Sequence, residues 1–236
     1  MPGSVYLVGS GQDGVLGEVA RRACRELGKE RPRVAVTYAP VAGDRRGLKF
    51  MSERMPGLFP GATLERFAVD GESGAMAAAE ARAVVDRADL VFVSGGDPAL
   101  GAKVLGASGA SEWMRAAHAR GVPMMGVSAG SIVLGAWWAD WPEDDEGTEE
   151  EQLERTGLVE CVRAVEGHVF DTHNEEDDWD ELRLVAKLLE RRTGGAGGAA
   201  GGSSRPHFLG IPTGGALVFR PDGSMEVVGK SPFQLR

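Results

Sequence analysis

Pro123-Met124-Met125-Gly126-Val127-Ser128-Ala129-Gly130-Ser131-Ile132-Val133-Leu134 decides the fold. An apolar run enters a cluster of small residues, and a second apolar run leaves it. The first half reads as a buried strand over 122–127. The second reads as a helix over 130–138. Gly126 to Gly130 forms the tight turn between them.

The same strand-then-glycine pattern stands upstream, where Leu90-Val91-Phe92-Val93 breaks at Gly95-Gly96-Asp97. Outward from these two stretches, strands are expected over 4–9, 33–39 and 64–69. Helices are expected between them, over 44–55, 75–87 and 111–120. Another follows the first strand and places Leu16, Val19, Ala20, Ala23 and Leu27 on one face. Beyond the elbow, a strand over 164–170 and a helix over 176–192 precede short strands at 208–211, 216–219 and 225–228. Alternating strands and helices imply an α/β fold, a doubly wound and mostly parallel sheet in a three-layer sandwich. Such sheets carry their sites at the carboxyl ends of the strands, where Gly95-Gly96 and Ser128 both fall. The expected organisation is one α/β domain over 1–236. A flexible loop over 193–204, almost entirely Gly, Ala and Ser, interrupts it.

Charge narrows the function. The net charge is −9, which argues against nucleic acid as a partner. Nine acids lie between Asp140 and Glu154 and seven between Asp171 and Glu181, with no Lys or Arg in either run. The 19 acids elsewhere face 26 Lys and Arg, leaving +7, so the acidity is local to two stretches. No apolar run reaches the ~20 residues of a membrane helix, and no signal segment is evident, so a cytoplasmic location is expected. Cys24 and Cys161 read as buried free thiols. The acidic runs lack calcium-loop spacing, and neither metal nor cofactor is expected.

Gly126-Val127-Ser128-Ala129-Gly130 fits the Gly-x-Ser-x-Gly nucleophile elbow. A serine on a strand-to-helix turn is exposed, and the helix behind it points free N–H groups at a developing oxyanion. Serine needs a base, and four histidines compete. His118 and His207 read as surface residues, His168 as a core residue, and His173 stands just beyond the end of an expected strand.

Four stretches then resemble, in order, the peptidase family that contains peptidase E (aspartyl dipeptidase) and cyanophycinase, family S51. They are Val91 to Asp97, Gly126 to Ser131, Asp171-Thr172-His173, and Gly210-Ile211-Pro212-Thr213-Gly214. The resemblance implies a sheet related to class I glutamine amidotransferases, with serine in place of their cysteine. It implies Ser128 as nucleophile, His173 as base and the N–H groups of Gly96 and Ala129 as oxyanion hole. Gly95 and Asp97 would border a small peptide substrate. A homodimer stays open beside a monomer. The third triad member is open among Asp140, Glu143, Asp144 and Asp171, because Thr213 stands where relatives often carry glutamate. The implied function is a serine exopeptidase acting through an acyl-enzyme. A cyanophycinase-like hydrolase of isoaspartyl peptides, an esterase-like hydrolase and a non-catalytic homologue are the alternatives.

Overall fold

In the computed structural model, the described residues are 1–12, 14–38, 53–69, 76–142, 148–192 and 206–235. The expected helix over 44–55 falls largely outside them, and the loop over 193–204 wholly so.

Seven strands form the main sheet: β1 (Val5–Val8), β2 (Arg33–Tyr38), β3 (Thr63–Arg66), β4 (Leu90–Ser94), β5 (Met124–Val127), β10 (Gly215–Phe219) and β11 (Met225–Gly229). Their spatial order is β11-β10-β1-β5-β4-β2-β3. The five from β1 to β3 in that order run parallel; β10 runs antiparallel to β1 at one side, and β11 runs antiparallel to β10. Alternation within each strand serves two cores, as a sheet covered on both faces requires. Tyr6, Val8, Leu90 and Phe92 face α1 (Gly14–Leu27) and α2 (Met55–Leu58). Val5, Leu7, Val91 and Val93 face the opposite core. It is built by α3 (Ala78–Asp86), α4 (Pro98–Ala107), α5 (Ala110–Ala119) and α6 (Ala129–Val133). Together, these layers are the α/β architecture expected from the alternation.

Two smaller sheets complete the fold. β6 (Trp137–Asp140) pairs antiparallel with β7 (Gly157–Glu160), and α7 (Glu149–Arg155) lies between them in sequence. β8 (His168–Thr172) runs parallel to β9 (His207–Ile211), and β12 (Phe233–Leu235) covers the other edge of β9. α8 (Asp180–Arg192) packs on β8 and β9.

Several elements differ from the sequence expectation. The helix after the elbow ends at Val133, because Trp137 and Trp138 enter β6, where aromatic residues suit a pleated surface. The strand expected over 164–170 is shifted to His168–Thr172, in register with β9. α8 begins only at Asp180, because Asp178 and Trp179 have φ of 51° and 60°, which no right-handed helix admits. α4 was not expected, although Asp97-Pro98 is a helix-start signal: Asp97 caps the helix by accepting from the Leu100 N–H at 2.9 Å. Cys161 is buried as expected, whereas Cys24 is half-buried. His118 is half-buried rather than on the surface, and its Nδ1 has no partner among the described residues. No helix among the described residues is long and apolar enough to cross a membrane.

Candidate active site

Ser128 sits between β5 and α6 with φ 54° and ψ −131°. A non-glycine residue at such angles is strained by about 1–3 kcal/mol and persists only where neighbours fix it. The fixing is visible. The Ser128 N–H donates to the Val8 carbonyl at 3.0 Å. The same carbonyl accepts from the buried Ser131 hydroxyl at 2.9 Å, and Ser131 Oγ in turn accepts from the Val8 N–H at 3.0 Å. The end of β1 is thereby stitched to both the nucleophile turn and the first turn of α6. Gly130 is required for this packing: a Cβ there would lie 2.1 Å from the Val93 carbonyl oxygen. Gly95 lets the β4 loop pass beside the serine, since its Cβ would stand 3.5 Å from Ser128 Oγ.

The small sheet delivers the histidine. Pro212 and Ile211, at the carboxyl end of β9, press on Gly9 at the carboxyl end of β1, leaving no room for a side chain there. Parallel pairing then places the end of β8 at the same edge. His173 is the residue just past β8. Its φ is 44°, and its N–H donates to the Ile211 carbonyl at 3.0 Å. The imidazole Nε2 lies 2.8 Å from Ser128 Oγ. Two residues 45 apart in sequence, both in left-handed backbone, thus meet at hydrogen-bond distance.

Gly96, with φ 155°, follows Gly95 of the loop beside the serine, and Ala129 is the first residue of α6 directly after it. Neither backbone N–H donates to an acceptor among the described residues. Asp97 lies beside them but is engaged as the α4 cap.

The acids considered for a third member separate clearly. Asp140 pairs with Lys103 at 2.6 Å. Glu143 and Asp144 lie outside the described residues. Asp171 is buried, 1% exposed. Its carboxylate accepts from the Thr172 N–H at 2.7 Å and from the Asn174 amide at 3.1 Å, not from His173. Two-residue spacing would put Asp171 and His173 on one face of a strand, but the strand ends at Thr172 and His173 turns away from it. Among the described residues, no carboxylate bonds to His173 Nδ1.

Burial pushes Asp171 up to about 6, against the pull of its donors and of His173. Glu181, at the start of α8, is pushed up to about 7, first by desolvation and then by the like charges of Asp171, Asp180, Asp177 and Asp97. Four of these carboxylates belong to the acidic run over 171–181, and Asp97 joins them from the loop after β4. No cluster of His, Cys, Asp and Glu among the described residues is arranged to hold a metal ion.

Sequence reasoning missed two contributors. Ser131 is a polar residue on the buried side of an apolar helix, and that placement is a usable signal. Glu175 accepts from the Thr213 N–H at 3.0 Å and docks the His173 loop on the turn after β9. Nothing in the sequence distinguishes it from the acids around it.

A serine on a strand-to-helix elbow, with an imidazole in hydrogen-bond reach, is the arrangement of hydrolases that use an activated hydroxyl. The chain belongs to peptidase family S51, whose model matches residues 6–187. Its fold is that of a peptidase from an acI-B1 Actinobacterium, with TM-score 0.70 and 20% identity, covering 100% of this chain and 94% of the other. A candidate peptidase E from Listeria monocytogenes EGD-e shares it at TM-score 0.62 and 12% identity, covering 98% of this chain and 100% of that one. No curated protein matches the chain.

Proposed function

We propose that this peptidase is a serine exopeptidase that cleaves short peptides through an acyl-enzyme. The observation that carries the reading is the 2.8 Å contact between Ser128 Oγ, on a strained turn, and His173 Nε2. His173 takes the hydroxyl proton as Ser128 Oγ attacks the scissile carbonyl. The uncommitted N–H groups of Gly96 and Ala129 face the oxygen that becomes negative, helped by the amino end of α6. Collapse of the tetrahedral adduct breaks the C–N bond, and His173 Nε2 returns the proton to the leaving amine. Water then repeats the sequence on the ester and frees Ser128. The imidazolium formed along the way is favoured by the nearby Asp171 carboxylate, which acts through space rather than by a bond.

The choice of short peptides over other acyl substrates rests on the family. A panel of α-dipeptides, isoaspartyl dipeptides and simple esters tests it, with Ser128→Ala as control. Hydrolysis of a dipeptide that falls by several orders of magnitude in Ser128→Ala supports the proposal. Ester turnover alone, or peptide turnover within about tenfold of wild type in the variant, refutes it.

A further inference from the structure

The loop that carries His173 has a missing main-chain bond, and a side chain fills its place. In a parallel ladder every second residue donates to one partner carbonyl and accepts from the N–H two residues further along the partner strand. β8 and β9 keep this pattern up to Thr172 opposite Ile211, and the His173 N–H continues it to the Ile211 carbonyl at 3.0 Å. The next bond would run from the Thr213 N–H to the His173 carbonyl. It is not made, because His173 turns into left-handed backbone at φ 44°. The Thr213 N–H donates instead to Glu175 Oε1 at 3.0 Å.

We propose that Glu175 is a positioning residue for His173, its carboxylate standing in for the lost main-chain acceptor and holding the strained imidazole against Ser128 Oγ. The inference rests on the reading of Ser128 and His173 as nucleophile and base. Two attachments then straddle the strained residue: the His173 N–H on Ile211 before it, and Glu175 on Thr213 after it. Glu175 is well suited to the task. Desolvation alone would raise its carboxyl. Its own N–H, the Thr213 N–H and hydroxyl, and Lys230 outweigh that and hold it below the ordinary range. The remainder of the loop is anchored independently, since the Asn174 amide bridges Asp171 and Asp180 at 3.1 and 3.0 Å. Loss of Glu175 should therefore loosen the histidine without unfolding the segment.

The acceptor, not the charge, is what the geometry demands, so glutamine should serve. The experiment measures the kinetics of fluorophosphonate labelling for wild type, Glu175→Ala and Glu175→Gln, with Ser128→Ala as blank. Amide hydrogen exchange at Thr213 is followed in the same proteins. Glu175→Ala should lower the limiting labelling rate by about tenfold or more, with little change in the half-saturating probe concentration. Glu175→Gln should recover most of that loss, and Thr213 should exchange faster in the alanine variant alone. Equal limiting rates in wild type and Glu175→Ala overturn the inference. So does a glutamine variant as slow as the alanine variant, which would make the charge the agent. Absence of labelling in wild type overturns the nucleophile assignment, and the positioning role falls with it. Unchanged Thr213 exchange in Glu175→Ala would instead refute the clamp itself.

Discussion

Asp171→Asn should change from a net cost to stability at pH 4 to a net gain at pH 8. The carboxyl is 1% exposed and its pKa stands near 6 rather than 3.8. A group raised in the fold binds its proton more tightly there than in the unfolded chain. Its contribution to stability is therefore fully present below about 3.8 and is lost as pH rises through about 6. A shift of about 2 pKa units corresponds to roughly 3 kcal/mol at pH 8, of which only a small part is already lost at pH 4. Asparagine keeps an acceptor for the Thr172 N–H but sets an amide against the Asn174 amide, which costs about 1–2 kcal/mol at any pH. The pH-independent loss cancels in a comparison. The stability difference between variant and wild type should be a few kcal/mol more favourable to the variant at pH 8 than at pH 4. Urea unfolding at both pH values measures it. A difference that is the same at pH 4 and pH 8, or that reverses, would refute the assignment of an ionised, desolvated carboxylate at this position.

Further outcomes follow from the same geometry. Gly130→Ala would drive a methyl to 2.1 Å from the Val93 carbonyl, so the variant should lose both probe labelling and several degrees of melting temperature; a variant as stable and reactive as wild type would show that the elbow can shift. Labelling by Asp171→Asn should stay within about tenfold of wild type, because no bond joins Asp171 to the imidazole; a fall as deep as that of Ser128→Ala would make it the third member of a triad. The carboxylates of Asp97, Asp177, Asp180 and Glu181 gathered beside the site should disfavour an anionic side chain, so kcat/KM for Ala-Leu and Arg-containing dipeptides should exceed that for Asp-Leu, by a margin that shrinks with added salt. A salt-insensitive preference for Asp-Leu would run against that expectation.

The lesson for reading such a chain lies in which signals are local. A strand-to-helix elbow is written in consecutive residues, because the turn needs small side chains at fixed offsets and apolar runs on either side. Ser128 and its glycines were legible for that reason, as was the alternation that builds a parallel sheet. Asp97-Pro98 was equally local and could have been read as the start of α4. The helix start at Asp180 was not legible, since acids at 175–178 suit a helix amino end whether or not the chain is helical there.

The sequence by itself determined the layered α/β architecture and the nucleophile turn, because propensity and periodicity act over a few residues, and the family resemblance added the candidate histidine. Only the tertiary structure decided what joins them. The meeting of His173 with Ser128 depends on the β8–β9 sheet packing its carboxyl end against Gly9. The assignment of Asp171 depends on the strand ending one residue before the histidine. The attachment of Glu175 depends on a ladder bond lost through a left-handed residue. Hydrogen bonds between segments 38 or more residues apart are set by the packing of whole elements, which carries no signature at either end of the contact.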